Sequence, residues 1–196
     1  MLDLLPMLSK FEPANDRENE MAFFRTHVPW EAPEAYLNIV FKPAQKQTLS
    51  TVAVKLRIPD AWVGFLARNN GACLFSAHLY ILGVVSPGKL LNRRDHWSLP
   101  PPNIEVSNLA AKPLDLRRYL IIGSYGYDGS RVCMDRNEGG VHVFHKGEPK
   151  PYASWKNPEQ WIGAEIGRLS ALFDPKGRLL VDSSVTLPES NSKKAS

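Results

Sequence analysis

The chain has 196 residues, of which 43% are apolar, and it carries a net charge of +4. This length supports one core that buries about 70% of the extended chain's surface, and it is short for two cores. No segment reaches the roughly eighteen uninterrupted apolar residues that a membrane span needs, and the N-terminus lacks the features of a secretory signal. Lys and Arg are scattered along the sequence, which disfavours a phosphate-binding groove. We therefore expect one cytoplasmic domain over residues 1–182, with neither a membrane nor a nucleic-acid partner.

The first thirty-five residues predict a helical extension ahead of the main domain. Asp16 is a suitable cap for a helix over residues 16–27. The apolar side of that helix would consist of Met21, Phe24 and Val28. Residues 36–41 fit either a strand or a further helical turn, and their pattern does not decide between the two.

Two further helices are predicted over residues 49–56 and 60–69. Pro59 suits the start of the second helix, because its missing donor would have no partner there. The apolar stripe of this helix is formed by Ala61, Trp62, Phe65 and Leu66. Gly71 follows the helix, after which residues 73–75 are predicted to form a strand. A positive φ is expected at Gly71, at Gly129 in the predicted Asp-Gly turn, or at both.

The second half of the chain predicts a sheet and a final helix. Residues 78–85 have the apolar pattern of a central strand, and residues 119–124, 131–135 and 140–144 form a predicted antiparallel meander. Asn157 is the expected cap of a helix over residues 158–173. Residues 183–196 are polar and predict a disordered tail. The fold class is therefore α+β, with helices packed on an antiparallel-rich sheet.

The order of these motifs resembles the SUKH superfamily, which includes fungal cell-wall-synthesis regulators and bacterial toxin-immunity proteins. The resemblance covers residues 41–173. Its motifs are the entry Phe41, Pro43, Ala44; the Pro59 helix; Asn70-Gly71; Ile121-Ile122-Gly123; Asp128-Gly129; Gly140-Val141; and Trp161-Ile162. The sequence departs from the family pattern at Thr51 and Lys55, where a Glu and a Gly are usual, and residues 86–118 are longer than the usual link.

Some sequence features could suggest a catalytic, metal or cofactor site, but each is better explained as part of a turn or a strand. Residues 123–129 are rich in glycine but precede a strand, which favours a hairpin over a phosphate loop. His142 and His145 lie three apart on a predicted strand, so they face opposite sides of the sheet and suit no metal pair. Asp128 and Asp135 are better explained as turn residues than as an acid/base pair. We expect no catalytic residue, metal or cofactor.

The two cysteines, Cys73 and Cys133, lie in apolar, strand-like segments. Their setting favours buried free thiols over a disulfide.

A partner-binding surface is the remaining candidate site. Aromatic and basic side chains occur in irregular, polar surroundings at Arg93, Arg94, His96 and Trp97, joined by Tyr125 and Tyr127. Tyr, Trp and Arg dominate binding hot spots, which makes this set a candidate contact with another protein. The alternative is a loop that folds back onto its own domain.

Three functions stay open at this point. The resemblance implies a protein-binding module, foremost an immunity protein that neutralises a secreted toxin domain. A regulatory scaffold of the same family, or an enzyme whose site is assembled in space, are the alternatives. Because the chain is basic, a toxin with a neutral or acidic face is a more natural target than a basic nuclease.

Overall fold

The computed structural model describes residues 2–31, 35–86, 100–109 and 114–189. Within these residues, nine strands form one antiparallel sheet in which spatial order follows chain order. The strands are β1 (Arg17–Glu18), β2 (Ala22–His27), β3 (Tyr36–Phe41), β4 (Ala72–Leu74), β5 (Leu79–Ile81), β6 (Tyr119–Tyr125), β7 (Arg131–Asp135), β8 (Val141–Phe144) and β9 (Ala153–Trp155). The α+β class and the antiparallel sheet are confirmed.

Five α-helices and one 3₁₀ turn accompany the sheet in the described residues. They are α1 (Leu4–Met7), α2 (Lys46–Leu56), α3 (Asp60–Leu66), α4 (Ile104–Leu109), α5 (Pro158–Ser170) and the 3₁₀ turn Ser183–Thr186. None of the described helices has the length and apolar character that crossing a membrane requires.

The main core lies where α1, α2, α3 and α5 meet the sheet. Trp62 of α3 stacks on Phe65, with ring centroids 4.6 Å apart, and lies 6.4 Å from the ring of Trp161 on α5. The core residues predicted from the two helical stripes are at most 5% exposed: Trp62, Phe65, Leu66, Ile162, Ile166 and Leu169. These burial predictions are confirmed.

The turn and cap predictions are also confirmed. Gly71 and Gly129 have φ values of 85° and 72°, and a Cβ on Gly71 would lie 2.5 Å from the carbonyl oxygen of Ile81. The side chain of Asn157 accepts a hydrogen bond from the backbone N–H of Gln160 at the start of α5. Local residue preferences were sufficient to predict the turn and cap conformations, because neighbouring residue types favour them.

The predicted N-terminal helical extension is wrong, because residues 16–27 contain β1 and β2. Ala22, Phe24 and Thr26 are buried in alternation along β2, which pairs with β3 at every residue except Thr26. The Asp16 carboxylate accepts from the Thr26 N–H at 2.7 Å and bonds Arg25, so it supports the hairpin rather than a helix cap. The same pairing identifies residues 36–41 as a strand.

The predicted tail is wrong for residues 183–189, while residues 190–196 lie outside the described part. Arg168 of α5 donates to the carbonyl oxygens of Val185 and Thr186. Thr186 is fully buried. The polar composition of residues 183–189 did not indicate these hydrogen bonds, because their donor belongs to α5, which precedes the segment in the chain.

Candidate functional site

The predicted partner-binding residues are only partly described. Arg93, Arg94, His96 and Trp97 lie outside the described residues. Tyr127 is 51% exposed in the β6–β7 turn.

Tyr125 is a correction to the predicted surface, because its side chain is 1% exposed. It lies on the face of β6 that packs against α5, and its hydroxyl donates to the Glu165 carboxylate at 2.8 Å. Burial, with a further contribution from the Glu165 charge, raises the pKa of Tyr125 well above its ordinary value. Tyr125 therefore acts as a core residue with a satisfied hydroxyl.

Tyr127 and the described residues that flank β6 on its other side lie at opposite ends of this strand. In an antiparallel meander, successive connections alternate between the two ends of the sheet. The β6–β7 turn with Tyr127 is at one end, and Arg118, the last residue of the connection between β5 and β6, is at the other. The seven residues of β6 separate Tyr127 from Arg118 by about 20 Å. Ser86 accordingly lies beside Gln45 and Thr48, at the start of α2.

Asp128, Ser130 and His145 form a polar cluster beside Tyr127. The Ser130 hydroxyl and backbone N–H both donate to the Asp128 carboxylate at 2.7 Å. His145 Nδ1 lies 3.2 Å from both Asp128 Oδ2 and Ser130 Oγ. Burial acts to raise the pKa of Asp128, but the hydrogen bonds from Ser130 and His145 outweigh it and lower this pKa.

This cluster differs from a catalytic triad in its geometry. In a triad, Asp and Ser contact opposite ring nitrogens of His, so that Ser can pass its proton to Nε2. Here both Asp128 and Ser130 contact Nδ1, and Ser130 is fully buried. The arrangement closes the β6–β7 turn against the end of β8, as turn chemistry predicts.

His142 lies on β8 and His145 directly follows the strand, and the two side chains have different surroundings. His142 Nδ1 lies 2.8 Å from the Ser154 hydroxyl, and burial lowers the pKa of His142. His145 instead stacks on Tyr152, with ring centroids 3.9 Å apart. Within the described ranges, no three His, Cys, Asp or Glu side chains converge so that they could hold a metal ion.

Asp135 also has a structural setting. Its buried carboxylate receives a hydrogen bond from Arg118 at 2.7 Å and two from the backbone N–H groups of Asn137 and Glu138. These bonds hold the β7–β8 turn closed.

The two cysteines are free; Cys133 is buried and Cys73 partly buried. Burial raises the pKa of both thiols to about 12. Neither is a thiolate at neutral pH, and neither is therefore an activated nucleophile.

A different surface is formed by α2 and α4, and sequence reasoning missed it. Three aliphatic side chains on these helices are exposed: Val54 (81%), Val106 (64%) and Leu109 (72%). Lys55 of α2 and Glu105 of α4 form an ion pair at 2.8 Å, which brings the two helices side by side. We call Val54, Lys55, Glu105, Val106 and Leu109 the α2–α4 face.

Helix α4 is anchored by Asn108. Its amide nitrogen donates to the carbonyls of Ile104 and Ile121, and its oxygen accepts from the Ile121 N–H at 2.9 Å. Ile104 is fully buried on the same side of the helix. Val106 and Leu109, three residues apart, consequently face away from the sheet.

A sequence signal for α4 existed within residues 86–118. Asn103 accepts hydrogen bonds from the N–H groups of Glu105 and Val106, as a residue capping a helix does. The prolines at residues 100–102, just upstream of Asn103, favour a loop, and for that reason α4 was not predicted from the sequence.

In the comparisons with known proteins, no protein-family model and no curated protein matches this sequence.

Proposed function

We propose that this chain is a non-enzymatic protein-binding module, and specifically an immunity protein of the SUKH type that neutralises a toxin domain in the cytoplasm. The observation that carries the proposal is the α2–α4 face, where three large aliphatic side chains are exposed on two adjacent helices. Contiguous exposed apolar surface marks interaction sites in soluble proteins.

The structure of the face supports a role in binding. Asn108 fixes α4 to β6 through two hydrogen bonds with Ile121, so the backbone that carries Val106 and Leu109 is already ordered before association. Val106 and Leu109 belong to the 86–118 connection, the segment that the sequence already marks as a partner contact. The α2–α4 face therefore adds Val106 and Leu109, which the structure describes, to the proposed partner contact.

The SUKH resemblance is supported by the order of the elements. α2 and α3, then the β4–β5 hairpin, the β6–β8 meander and α5 follow one another over residues 41–173 as the resemblance implies. The net charge of +4 favours a partner with a neutral or acidic face.

The proposal is tested with a matched pair of double variants. Val106→Ser with Leu109→Ser removes apolar surface from the α2–α4 face, whereas Leu180→Ser with Val185→Ser removes it from exposed positions near the 3₁₀ turn. Tagged wild-type protein is used to capture its partner from the native host, the partner is identified by mass spectrometry, and affinities are measured with purified proteins.

We expect the first pair to weaken binding by at least about 2 kcal/mol, or thirtyfold, and the control pair to bind like wild type. Both pairs should keep the wild-type melting temperature, because all four side chains are exposed. Equal affinity of both pairs would contradict the role of this face. Replacing Arg94 and Trp97 by Ala tests the remainder of the connection in the same assay.

A further inference from the structure

Two arginine residues meet at the C-terminal end of α2, within one helical turn of Val54 on the α2–α4 face. Arg57 is the exposed residue that ends α2. Arg136, in the β7–β8 turn, donates to the carbonyl oxygens of Leu56 and Arg57, the second at 2.7 Å. Its Nε also donates to the Leu116 carbonyl. These bonds fix the Arg136 guanidinium beside the last turn of α2.

The described residues place no carboxylate against this pair of cations. The three acceptors of Arg136 are backbone carbonyls, and within the described ranges neither Arg57 nor Arg136 forms a salt bridge. Arg118, by contrast, bonds the buried Asp135 carboxylate at 2.7 Å. The carbonyl dipoles at the end of α2 offset part of the Arg136 charge, but Arg57 adds a second full charge.

The two guanidinium groups repel each other. Burial lowers the pKa of Arg136, and the positive charge of Arg57 lowers it further. An anion that contacts both groups would relieve this repulsion.

The backbone of Arg57 is a further sign that this side chain has a role outside the fold. Its φ and ψ are both 51°, in the left-handed region. Glycine, or less often asparagine, usually occupies such a position after a helix, because a side chain there is sterically unfavourable. Among the described residues, Arg57 makes hydrogen bonds only through its backbone N–H and carbonyl. Glycine at this position would therefore keep those bonds and remove both the steric cost and the repulsion.

We propose that Arg57 and Arg136 together bind a carboxylate of the partner protein, an Asp or Glu side chain beside the apolar residues that cover the α2–α4 face. This inference rests on the proposed function and adds the chemistry of the partner surface. The planar guanidinium matches a carboxylate with two parallel N–H donors. Val54 is 81% exposed next to the pair, which favours a protein surface over a free phosphate, since a phosphate would leave this side chain in water.

The first experiment requires no partner. The isotope-labelled full chain is titrated with succinate and separately with inorganic phosphate, at constant ionic strength. The Arg57 amide and the Arg136 Nε–H are followed by NMR. Arg57→Asn removes the charge and supplies a residue that accepts left-handed backbone angles, so the variant should melt at or above the wild-type temperature.

Arg68→Asn is the matched control, because it removes the same charge from another exposed position. A backbone hydrogen bond from Ala44 to Leu66 holds the end of α3 beside the start of α2. Arg68 therefore lies near the opposite end of α2 from Arg57, and the eleven residues of this helix span about 16 Å.

Succinate should shift both signals saturably. Its affinity should fall at least about threefold in Arg57→Asn and stay at the wild-type value in Arg68→Asn and in the Val106→Ser, Leu109→Ser pair. The absence of a saturable shift, or equal affinity in wild type and Arg57→Asn, would overturn the proposal. Binding of phosphate without binding of succinate would also overturn it, by assigning the pair to a phosphorylated ligand.

The second experiment measures association with the captured partner by stopped flow or surface plasmon resonance. A charge at the edge of an interface acts mainly on the association rate. Arg57→Asn should lower the association rate constant about threefold at low salt, and the difference should vanish near about 1 M NaCl, where the Debye length is about 3 Å. Arg68→Asn should associate like wild type.

The two experiments separate this inference from the proposed function. Equal association rates in wild type and Arg57→Asn would refute the partner carboxylate even if succinate binds. Slower association in Arg57→Asn, together with unchanged affinity in the Val106→Ser, Leu109→Ser pair, would refute the apolar contact and support the carboxylate contact.

Discussion

Replacing Asn108 by Ala removes the hydrogen bonds that attach α4 to the sheet. The Asn108 side chain bonds both the N–H and the C=O of Ile121 on β6, at 2.9 Å each, and also the Ile104 carbonyl at 2.8 Å. The substitution leaves two backbone groups of the buried Ile121 without this partner. Each buried group left unsatisfied costs about 1–3 kcal/mol. For the two groups together, we expect a loss of about 2–6 kcal/mol in the free energy of unfolding.

Thermal and chemical denaturation measure this loss. For a chain of this size, each kcal/mol lowers the melting temperature by about 2–4 °C, so the expected fall is about 4–24 °C. Native-state hydrogen exchange should also show faster exchange of the Ile121 amide. The control is Asn137→Ala at the exposed β7–β8 turn, where a surface substitution changes stability by about 0.5 kcal/mol or less.

The reasoning would be refuted if Asn108→Ala melted within about 1 °C of wild type, since that shift corresponds to less than about 0.5 kcal/mol. It would also be refuted if the Ile121 amide kept its protection. Either result would mean that α4 is held by Ile104 and its neighbours, with Asn108 making no net contribution.

Two further predictions concern the core and the pH dependence of stability. Phe65→Ala should lower the free energy of unfolding by about 2–5 kcal/mol in urea denaturation, because it deletes a 5% exposed ring stacked on Trp62; a loss below about 1 kcal/mol would place Phe65 outside the core. Burial acts to raise the pKa of Asp135, but hydrogen bonds from Arg118 and two backbone N–H groups lower this pKa overall. The ionised Asp135 carboxylate therefore stabilises the folded chain above the unfolded pKa of about 3.9. This stabilisation is lost as pH falls through the lower pKa of the folded state. Asp135→Asn should therefore show a smaller decline in stability than wild type on acidification below about pH 4, and an equal decline would contradict this role.

The sequence by itself determined the elements whose signals are local. The Asn157 cap, the positive φ of Gly71 and Gly129, and the apolar stripe around Trp62 depend on groups a few residues apart, so neighbouring residue types suffice to predict them. The β6–β8 meander follows from its turns in the same way.

Tertiary structure alone decided the features that depend on distant partners. Residues 16–27 form strands because β3 pairs with β2, although the spacing of Phe24 and Val28 suits a helix equally well. Tyr125 is in the core because α5 covers its face of the sheet. Its neighbours in sequence are polar, so they do not indicate that a helix buries this side chain. The α2–α4 face likewise required the packing of α4, since an apolar residue is assigned to core or surface only when its neighbours in space are known.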